Sequence, residues 1–256
     1  MKRFEDQVAL VIGGSQGIGE AICHRFAGEA ARVAVVASSD IAKARKVKDT
    51  ITGAGGKSEA FVCDVTRVSE IESLVADVLS SMGRIDILVN SAGVFYPTRV
   101  GEVDEDMFDR MCDINLKGCF FACNAVAPHM IERGSGKIIN IGSTSGVTGR
   151  KDFIFYSATK AGVLHMTRSL GVALAPHGIN VNAIAPGNTK TPMNEAVRTQ
   201  PEFAEIRQTI AERTPSKRQF AEPNEIAGAA LFLASEDARS MYGSVVVMDE
   251  GLTAGY

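Results

Sequence analysis

The chain has 256 residues, of which 45% are hydrophobic and 22% are charged. A chain of this length and composition can bury a substantial core and falls within the range of a single α/β domain, so we expect one domain over residues 1–256. The net charge is −3, and the basic residues are scattered among acidic ones. This charge pattern argues against a nucleic-acid partner.

The sequence carries no sign of a membrane segment, a disulfide framework or a metal site. No apolar run reaches the length of about 18 residues that a membrane span needs, and Met1 to Asp6 is charged where a signal peptide would be apolar. We therefore expect a cytoplasmic protein. The five cysteines form no CxxC pair and lie in apolar contexts, which indicates free buried thiols. The four histidines have no spacing typical of metal ligands, so no metal is expected.

Short β-branched runs alternate along the chain with longer segments of helical period. Seven strands are predicted, at Val8 to Ile12, Arg32 to Ala37, Ala60 to Cys63, Ile85 to Asn90, Lys137 to Ile141, Ile179 to Ala185 and Val245 to Met248. The runs are continuously apolar, as expected when helices cover both faces of a parallel sheet. The sequence therefore predicts a doubly wound Rossmann-type α/β fold, with ligands beyond the carboxyl ends of the strands.

The longest interval without a predicted strand runs from Asn188 to Ser244. It contains four prolines between helical stretches, more than a simple crossover needs. We expect residues 188–215 of this interval to form a lid over the substrate.

A glycine-rich segment follows the first strand and precedes a helix. Its glycines let the backbone turn tightly and approach a pyrophosphate, whose charge meets the amide groups at the helix N-terminus. The spacing is GxxxGxG rather than the commoner GxGxxG, and points to one subgroup of dinucleotide-binding folds. The predicted phosphate-binding residues are Gly13, Ser15, Gln16, Gly17, Ile18 and Gly19.

Tyr156 and Lys160 are four residues apart within a segment of helical period, so one helical turn places them on the same face. A phenol titrates near 10 and needs a nearby cation to act as a general acid or base at neutral pH, and Lys160 is placed to supply that cation. Ser143 ends the fifth predicted strand, at the edge where ligands bind, and its hydroxyl can hydrogen-bond a substrate oxygen.

Six motifs together resemble, in order and spacing, the short-chain dehydrogenase/reductase family, and the resemblance spans nearly the whole chain. They are the loop Gly13 to Gly19, Asn90-Ser91-Ala92-Gly93, Asn115, Ser143, Tyr156-Ser157-Ala158-Thr159-Lys160 and Pro186-Gly187. The resemblance implies oxidoreduction with NAD(P)(H) between a secondary alcohol and a ketone.

The resemblance also implies a role for individual residues. Tyr156 would exchange a proton with the substrate oxygen, and Ser143 would polarise that oxygen. Lys160 would bind the nicotinamide ribose and lower the pKa of Tyr156, while Asn115 would hold a water through its helix backbone. Further cofactor contacts would come from Asp64 and Val65 at the adenine, and from Asn90, Ala92, Gly93, Pro186, Gly187, Thr189 and Thr191. Asn90 could instead only tie adjacent strands together.

Three positions depart from the family pattern. Ile12 stands where a threonine is usual, Ser91 replaces a second asparagine, and Glu250 replaces a glycine. None removes a group that does chemistry.

The coenzyme preference depends on the end of the second strand. An NAD enzyme commonly carries a carboxylate about 20 residues beyond the glycine loop, and this family places it at Ala37. Without it, Ser38 and Ser39 can offer hydroxyls to a 2′-phosphate, which favours NADP(H). NAD(H) stays possible, because Gln16 stands where a basic residue often favours NADP and Asp40 could turn inward instead of capping a helix.

Two classes of function and two classes of substrate stay open. A dinucleotide-binding regulator would need the glycine loop but not the full Ser143, Tyr156, Lys160 and Asn115 set, so an enzyme is favoured. A 3-oxoacyl-carrier-protein reductase is an alternative to a small-molecule enzyme, but Arg133 alone is cationic in the segments before the fifth and sixth strands. Candidate substrate-pocket residues, besides Ser143 and Tyr156, are Phe95, Tyr96, Arg150, Phe153 and Met193.

The stretches Met107 to Met130 and Phe155 to Leu174 carry more apolar positions than one sheet face can cover. Family members usually pair these helices, so we expect a homotetramer, with a dimer as the alternative.

Overall fold

A computed structural model describes residues 2–254, and Met1, Gly255 and Tyr256 lie outside the described residues. Within this range, seven strands form one sheet. They are β1 (Val8–Ile12), β2 (Arg32–Ala37), β3 (Lys57–Val62), β4 (Ile87–Asn90), β5 (Gly136–Ile141), β6 (Ile179–Pro186) and β7 (Val245–Met248).

The helices fall mainly between the strands. They are α1 (Gly17–Gly28), α2 (Ile41–Gly53), α3 (Val68–Met82), α4 (Glu105–Cys112), α5 (Gly118–Arg133), α6 (Ile154–Leu174), α7 (Glu195–Thr199), α8 (Ala204–Arg213) and α9 (Pro223–Ala234). None of the helices in residues 2–254 combines the length and apolarity that a membrane crossing requires.

The strand order is β3-β2-β1-β4-β5-β6-β7, with every neighbouring pair parallel. The chain winds outward from β1 to β3 and then returns to the other side of β1, so the order reverses between β1 and β4. Loops leaving the carboxyl ends of β1 and β4 diverge there and open a crevice. The predicted doubly wound, seven-stranded parallel sheet is confirmed.

The strands contribute to hydrophobic cores on both faces of the sheet. Ala9 and Val11 pack with residues of α1, α2 and α9. Val8, Leu10 and Ile12 face the other way, toward α3 and α5. Because successive side chains of a strand point to opposite faces and both faces are covered, the strands are continuously apolar.

The third strand begins earlier than the expected Ala60 to Cys63, at Lys57, and ends at Val62. β3 pairs only with β2 and so forms one edge of the sheet. Edge strands tolerate polar and charged side chains. Because β3 begins with polar residues, its first residues do not belong to an apolar run, and the apolar pattern predicted only its second half.

Candidate active site

The glycine loop leaves β1 and enters α1 along a path that only glycine allows. Gly13 has φ 78°, and a Cβ there would lie 2.6 Å from the backbone nitrogen of Ala92. A Cβ on Gly19 would lie 2.1 Å from the carbonyl oxygen of Gly13. The turn from β1 into α1 therefore packs backbone against backbone, and the amide groups at the N-terminus of α1 form a cradle that fits an anion such as a pyrophosphate.

Two further contacts of this loop were not foreseen from sequence. Gly14 also has no room for a side chain, because a Cβ would lie 2.8 Å from Sγ of Cys23. A Cβ on Gly17 would lie 3.3 Å from Cγ2 of Thr191, so the loop after β6 comes up against the glycine loop. The predicted cofactor residues of these two loops are thus brought together.

The loop after β6 is held to the last strand. The Gly187 nitrogen donates to the Met248 carbonyl at 2.8 Å, and a Cβ on Gly187 would lie 2.9 Å from Cα of Asp249. Pro186 ends β6, and the Thr189 hydroxyl donates to the Gly187 carbonyl at 3.3 Å. The four predicted residues from Pro186 to Thr191 therefore lie at or just beyond the carboxyl end of β6.

The end of β2 carries no carboxylate that faces the glycine loop. Ala37 is buried, and Ser38 and Ser39 are exposed beyond it. Asp40 caps α2, with its carboxylate accepting from the Ala42 nitrogen at 2.9 Å. The Asp40 carboxylate is therefore used to cap the N-terminus of α2.

The residues after β3 are held locally. Asp64 accepts hydrogen bonds from the Thr66 nitrogen and hydroxyl, at 3.0 and 2.9 Å. Val65 is buried against α5, where a Cβ on Gly118 would lie 2.8 Å from its Cβ.

Tyr156 and Lys160 are both buried in the first turns of α6, with 8% and 5% of their surface exposed. The Lys160 ammonium lies 6.0 Å from the centre of the Tyr156 ring and donates to the Ile141 carbonyl at 2.9 Å. Burial disfavours the charged form of an amine and lowers the pKa of Lys160 to about 8. A large neutral fraction is therefore present near pH 8.

The phenol of Tyr156 does not have the lowered pKa that we expected from a neighbouring Lys160. Burial raises the pKa of Tyr156, and the Ser143 hydroxyl and the positive charge of Arg150 only partly oppose this rise. The Lys160 ammonium is directed at the Ile141 carbonyl. Tyr156 is therefore protonated at neutral pH.

Ser143 lies two residues beyond the end of β5 and caps the short 3-10 turn Thr144–Gly146, with its hydroxyl accepting from the Ser145 nitrogen at 3.1 Å. The turn packs directly on α6, because a Cβ on Gly146 would lie 2.7 Å from the carbonyl carbon of Lys160. This packing positions Ser143 beside Tyr156.

Asn115 lies in a π-helical turn, Asp113–Lys117, between α4 and α5. Its side-chain amide bonds both backbone groups of Val94, accepting from the nitrogen at 2.8 Å and donating to the carbonyl at 3.0 Å. A Cβ on Gly93 would lie 3.3 Å from Oδ1 of Asn115 and 3.6 Å from Nζ of Lys160, so the loop after β4 is close to both residues. Turns of this kind interrupt helices at functional sites, and no sequence signal announced this one.

Asn90 lies in a buried polar network between β4, β5 and α5. Its Nδ2 donates to Oδ1 of Asn140 at 2.9 Å and contacts Sγ of Cys123 at 3.3 Å. The Asn90 Nδ2 thus ties adjacent strands together, whereas its Oδ1 is buried without a hydrogen-bond partner among the described residues.

Two of the predicted substrate residues, Phe95 and Phe153, form an aromatic wall beside Tyr156. Phe95 stacks on Phe153 at 4.5 Å between ring centres and meets the Tyr156 ring edge-on at 4.8 Å. Tyr96 is turned away, because its hydroxyl donates to the Met107 carbonyl at 2.7 Å. Met193 is exposed in the loop after β6, and Arg150 is half-buried in the loop before α6.

Residues 2–254 contain no cluster of three or more histidine, cysteine, aspartate or glutamate side chains arranged to hold a metal.

Glu250 has a left-handed backbone, with φ 59°, and its carboxylate pairs with the Arg218 guanidinium. The ion pair gives Glu250 a structural role at a position that otherwise favours glycine.

The sequence of this chain is similar to that of known oxidoreductases over nearly its whole length. A family model described as enoyl-(acyl carrier protein) reductase matches residues 13–253. The chain is 38% identical to the 3-oxoacyl-acyl-carrier-protein reductase of Thermotoga maritima, over 98% of this chain and 99% of the relative. It is also 38% identical to the galactitol 2-dehydrogenase of Agrobacterium fabrum, over 97% of this chain and 98% of the relative.

A solved structure extends the likeness to three dimensions. The crystal structure of a short-chain type dehydrogenase/reductase from Mycobacterium marinum superposes with a TM-score of 0.91 at 32% identity, covering 98% of this chain and 97% of that chain. The likeness therefore spans nearly the full length of each protein.

Proposed function

The chain belongs to the short-chain dehydrogenase/reductase family of oxidoreductases that act on a CH–OH group, and from this premise we propose that it interconverts a secondary alcohol and a ketone on a free small molecule. The observation that carries the proposal is the burial of Tyr156 and Lys160 on one face of α6, next to Ser143. A non-catalytic regulator would have no use for this acid and amine.

The glycine cradle and the loop after β6 fit a dinucleotide, with the pyrophosphate at the N-terminus of α1. A bound NAD(P)(H) supplies or accepts the hydride. Lys160 and the backbone of Asn90 to Gly93 would hold its nicotinamide half, and Asp64 and Val65 would flank its adenine.

In the reductive direction, Tyr156 gives its phenolic proton to the substrate oxygen, which Ser143 holds by a hydrogen bond. Because burial keeps the phenol protonated, Tyr156 is ready as an acid without prior titration. In the oxidative direction, Tyr156 must first lose its phenolic proton, because only the phenolate can take the proton of the alcohol. The neutral fraction of Lys160 near pH 8 can accept that phenolic proton and pass it onward.

A free small molecule is favoured over a carrier-bound acyl chain. The relatives include enzymes named for both classes of substrate. Arg133, the cation that a carrier protein could meet, is bonded to the Asp86 carboxylate at 2.7 Å and to the Ile85 carbonyl at 3.2 Å. The Arg133 guanidinium is therefore held within the fold, where it shares the Asp86 carboxylate with Arg84.

The coenzyme proposed is NADP(H), with NAD(H) as the alternative. A carboxylate at Ala37 would repel a 2′-phosphate by about 4 kcal/mol at 4 Å in an effective dielectric of 20. Ala37 has no such charge, and Asp40 is engaged at the start of α2.

We also propose residues 188–215 as a substrate lid. Both ends of the segment are fixed. The backbone nitrogen of Lys190 donates to the Ala221 carbonyl at 2.9 Å, and Thr214 is buried. Between them, residues 192–213 include no buried side chain, and α7 and α8 pack on each other and on the short turns of the same segment. Few buried apolar contacts lower the cost of local opening.

Tyr156→Phe tests the catalytic proposal, because it keeps the ring and removes only the acidic hydroxyl. We expect the ketone-reduction rate to fall about 10²- to 10⁴-fold, with coenzyme binding by nicotinamide fluorescence unchanged. Tyr242→Phe, at an exposed phenol, is the matched control and should keep the full rate. More than half of the wild-type rate in Tyr156→Phe would remove Tyr156 from the mechanism.

A further inference from the structure

Arg150 differs from every other half-buried arginine in residues 2–254. The other five each have a hydrogen-bond acceptor: Arg32, Arg84, Arg133, Arg198 and Arg207. The Arg150 guanidinium has no hydrogen bond or ion pair among the described residues. A partly desolvated cation without an acceptor is unfavourable, so Arg150 does not serve the stability of the fold.

The position of Arg150 is at the reacting end of the site. It lies in the loop between Ser143 and Tyr156, and its carbonyl accepts from the nitrogen of Phe153, which forms the aromatic wall with Phe95. The charge of Arg150 also acts on the Tyr156 phenol and opposes the rise of its pKa. A ligand held by Arg150 would therefore be close to the proton-transfer group.

A second cation reinforces the first. Arg213 ends α8 in the proposed lid, and its positive charge acts repulsively on the Arg150 guanidinium. The carboxylate of Asp152, which also acts on Arg150, is bonded to Arg99 at 3.2 Å. Two arginines, Arg150 in the loop before α6 and Arg213 at the end of α8, thus lie close enough for their positive charges to interact.

We propose that Arg150, assisted by Arg213, binds an anionic oxygen group of the substrate, so that the substrate is a hydroxy or oxo acid carrying a carboxylate. This inference rests on the proposed function and narrows its substrate class. A guanidinium pairs with a carboxylate or a phosphate through two parallel hydrogen bonds, whereas a neutral polyol offers no charge to balance the two arginines. Closing the lid over such a substrate brings Arg213 toward the same negative charge.

The test compares a short 3-oxo carboxylate with its methyl ester and with a phosphate ester of a hydroxyketone, using NADPH. We expect the wild type to prefer the carboxylate over the methyl ester. Arg150→Gln should lower kcat/KM for the carboxylate about thirtyfold, mainly through KM, and leave the ester within about threefold. Arg150→Lys should keep part of the preference for the carboxylate. Arg213→Gln should lower kcat/KM for the carboxylate by less than Arg150→Gln does. The exposed Arg239, at the amino edge of the sheet, gives the control Arg239→Gln, which should change neither substrate.

A binding measurement separates this inference from the proposed function. Malonate should raise the melting temperature of the wild type in the presence of NADPH and should not do so in Arg150→Gln, whether or not any ketone is reduced. Arg150→Gln without ligand should be at least as stable as the wild type. If the phosphate ester alone responds to Arg150→Gln, the anion is a phosphate and the carboxylate assignment is overturned.

Other outcomes also overturn the inference. These are equal losses on the carboxylate and the ester, a strong loss of stability in Arg150→Gln, or turnover of a carrier-protein thioester alone. If the enzyme reduces the neutral methyl ester well and loss of the charge in Arg150→Gln does not change its kinetics, this inference is contradicted and the proposed function stands.

Discussion

At the scale of single residues, burial decides the chemistry of the site. Lys160 is charged in water but half-neutral near pH 8 inside the fold, since burial lowers its pKa from 10.5 to about 8. Tyr156 shifts in the opposite direction for the same reason, because burial penalises whichever form carries charge.

The depressed pKa of Lys160 predicts a dependence of stability on pH. Between about pH 8 and 10.5 the unfolded chain holds a proton on Lys160 that the folded protein has released, so burial of Lys160 costs less as pH rises. The free energy of unfolding of the wild type should therefore rise across this range relative to Lys160→Met. Urea denaturation at pH 7.5, 9 and 10 measures it, with the exposed Lys46→Met as the control. A difference between wild type and Lys160→Met that is constant with pH would contradict the expectation.

Coenzyme choice also depends on a single residue. We expect Ala37→Asp to shift the ratio of kcat/KM toward NAD, because the new carboxylate would repel a 2′-phosphate and accept from a ribose hydroxyl. Steady-state kinetics with NADPH and NADH give the ratio, and Ala37→Asn separates the charge from the size of the side chain. A wild-type preference for NAD above tenfold, about 1.4 kcal/mol, would show that another group selects the coenzyme.

At the scale of elements, the junction of β1 with α1 depends on the close approach of backbone to backbone. A Cβ on Gly19 would lie 2.1 Å from the carbonyl oxygen of Gly13, and neither atom belongs to a flexible side chain that could move away. The cradle and the packing of α1 on the sheet are therefore set by the same glycine.

Gly19→Ala should weaken NADPH binding by more than tenfold, about 1.4 kcal/mol, and lower stability by about 1–3 kcal/mol. Fluorescence titration and urea denaturation measure the two effects. Gly28→Ala, at the end of the same helix where a Cβ meets nothing within 4 Å, is the matched control and should change neither by much. Wild-type NADPH affinity in Gly19→Ala would show that the cradle does not bind the dinucleotide.

At the scale of the whole molecule, apolar side chains remain exposed on the helices that we expect to pair. Phe108 on α4, Phe120 on α5 and Val172 on α6 are exposed, and the ring of Phe108 stacks on that of Phe155. Such a surface is typical of an interface between subunits rather than of a monomer in water.

We expect a homotetramer of four 27.2 kDa chains, measured by light scattering at micromolar concentration. Phe120→Asp should shift the mass toward smaller species, because a charge at an apolar interface is desolvated on assembly. Val62→Asp is the control, since Val62 is 40% exposed against 41% for Phe120 but lies on the edge strand β3. A stable wild-type monomer would refute the assembly.

Much of this protein follows from local sequence patterns. Six of the seven strands were located to within two residues from apolar runs, because parallel strands covered on both faces exclude polar side chains. The glycine loop and the spacing of Tyr156 and Lys160 pointed to the site, since each depends on the geometry of one turn or one helix.

Tertiary structure alone decided what depends on distant parts of the chain. The polar start of β3, the π-helical turn at Asn115 and the ion pair of Glu250 with Arg218 required the three-dimensional structure. Whether Arg150 has an acceptor depends on residues far from it in sequence, and so does the burial that sets the pKa values of Tyr156 and Lys160. Local patterns specify which element a residue joins, but the solvation and the partners of its side chain are properties of the packed molecule.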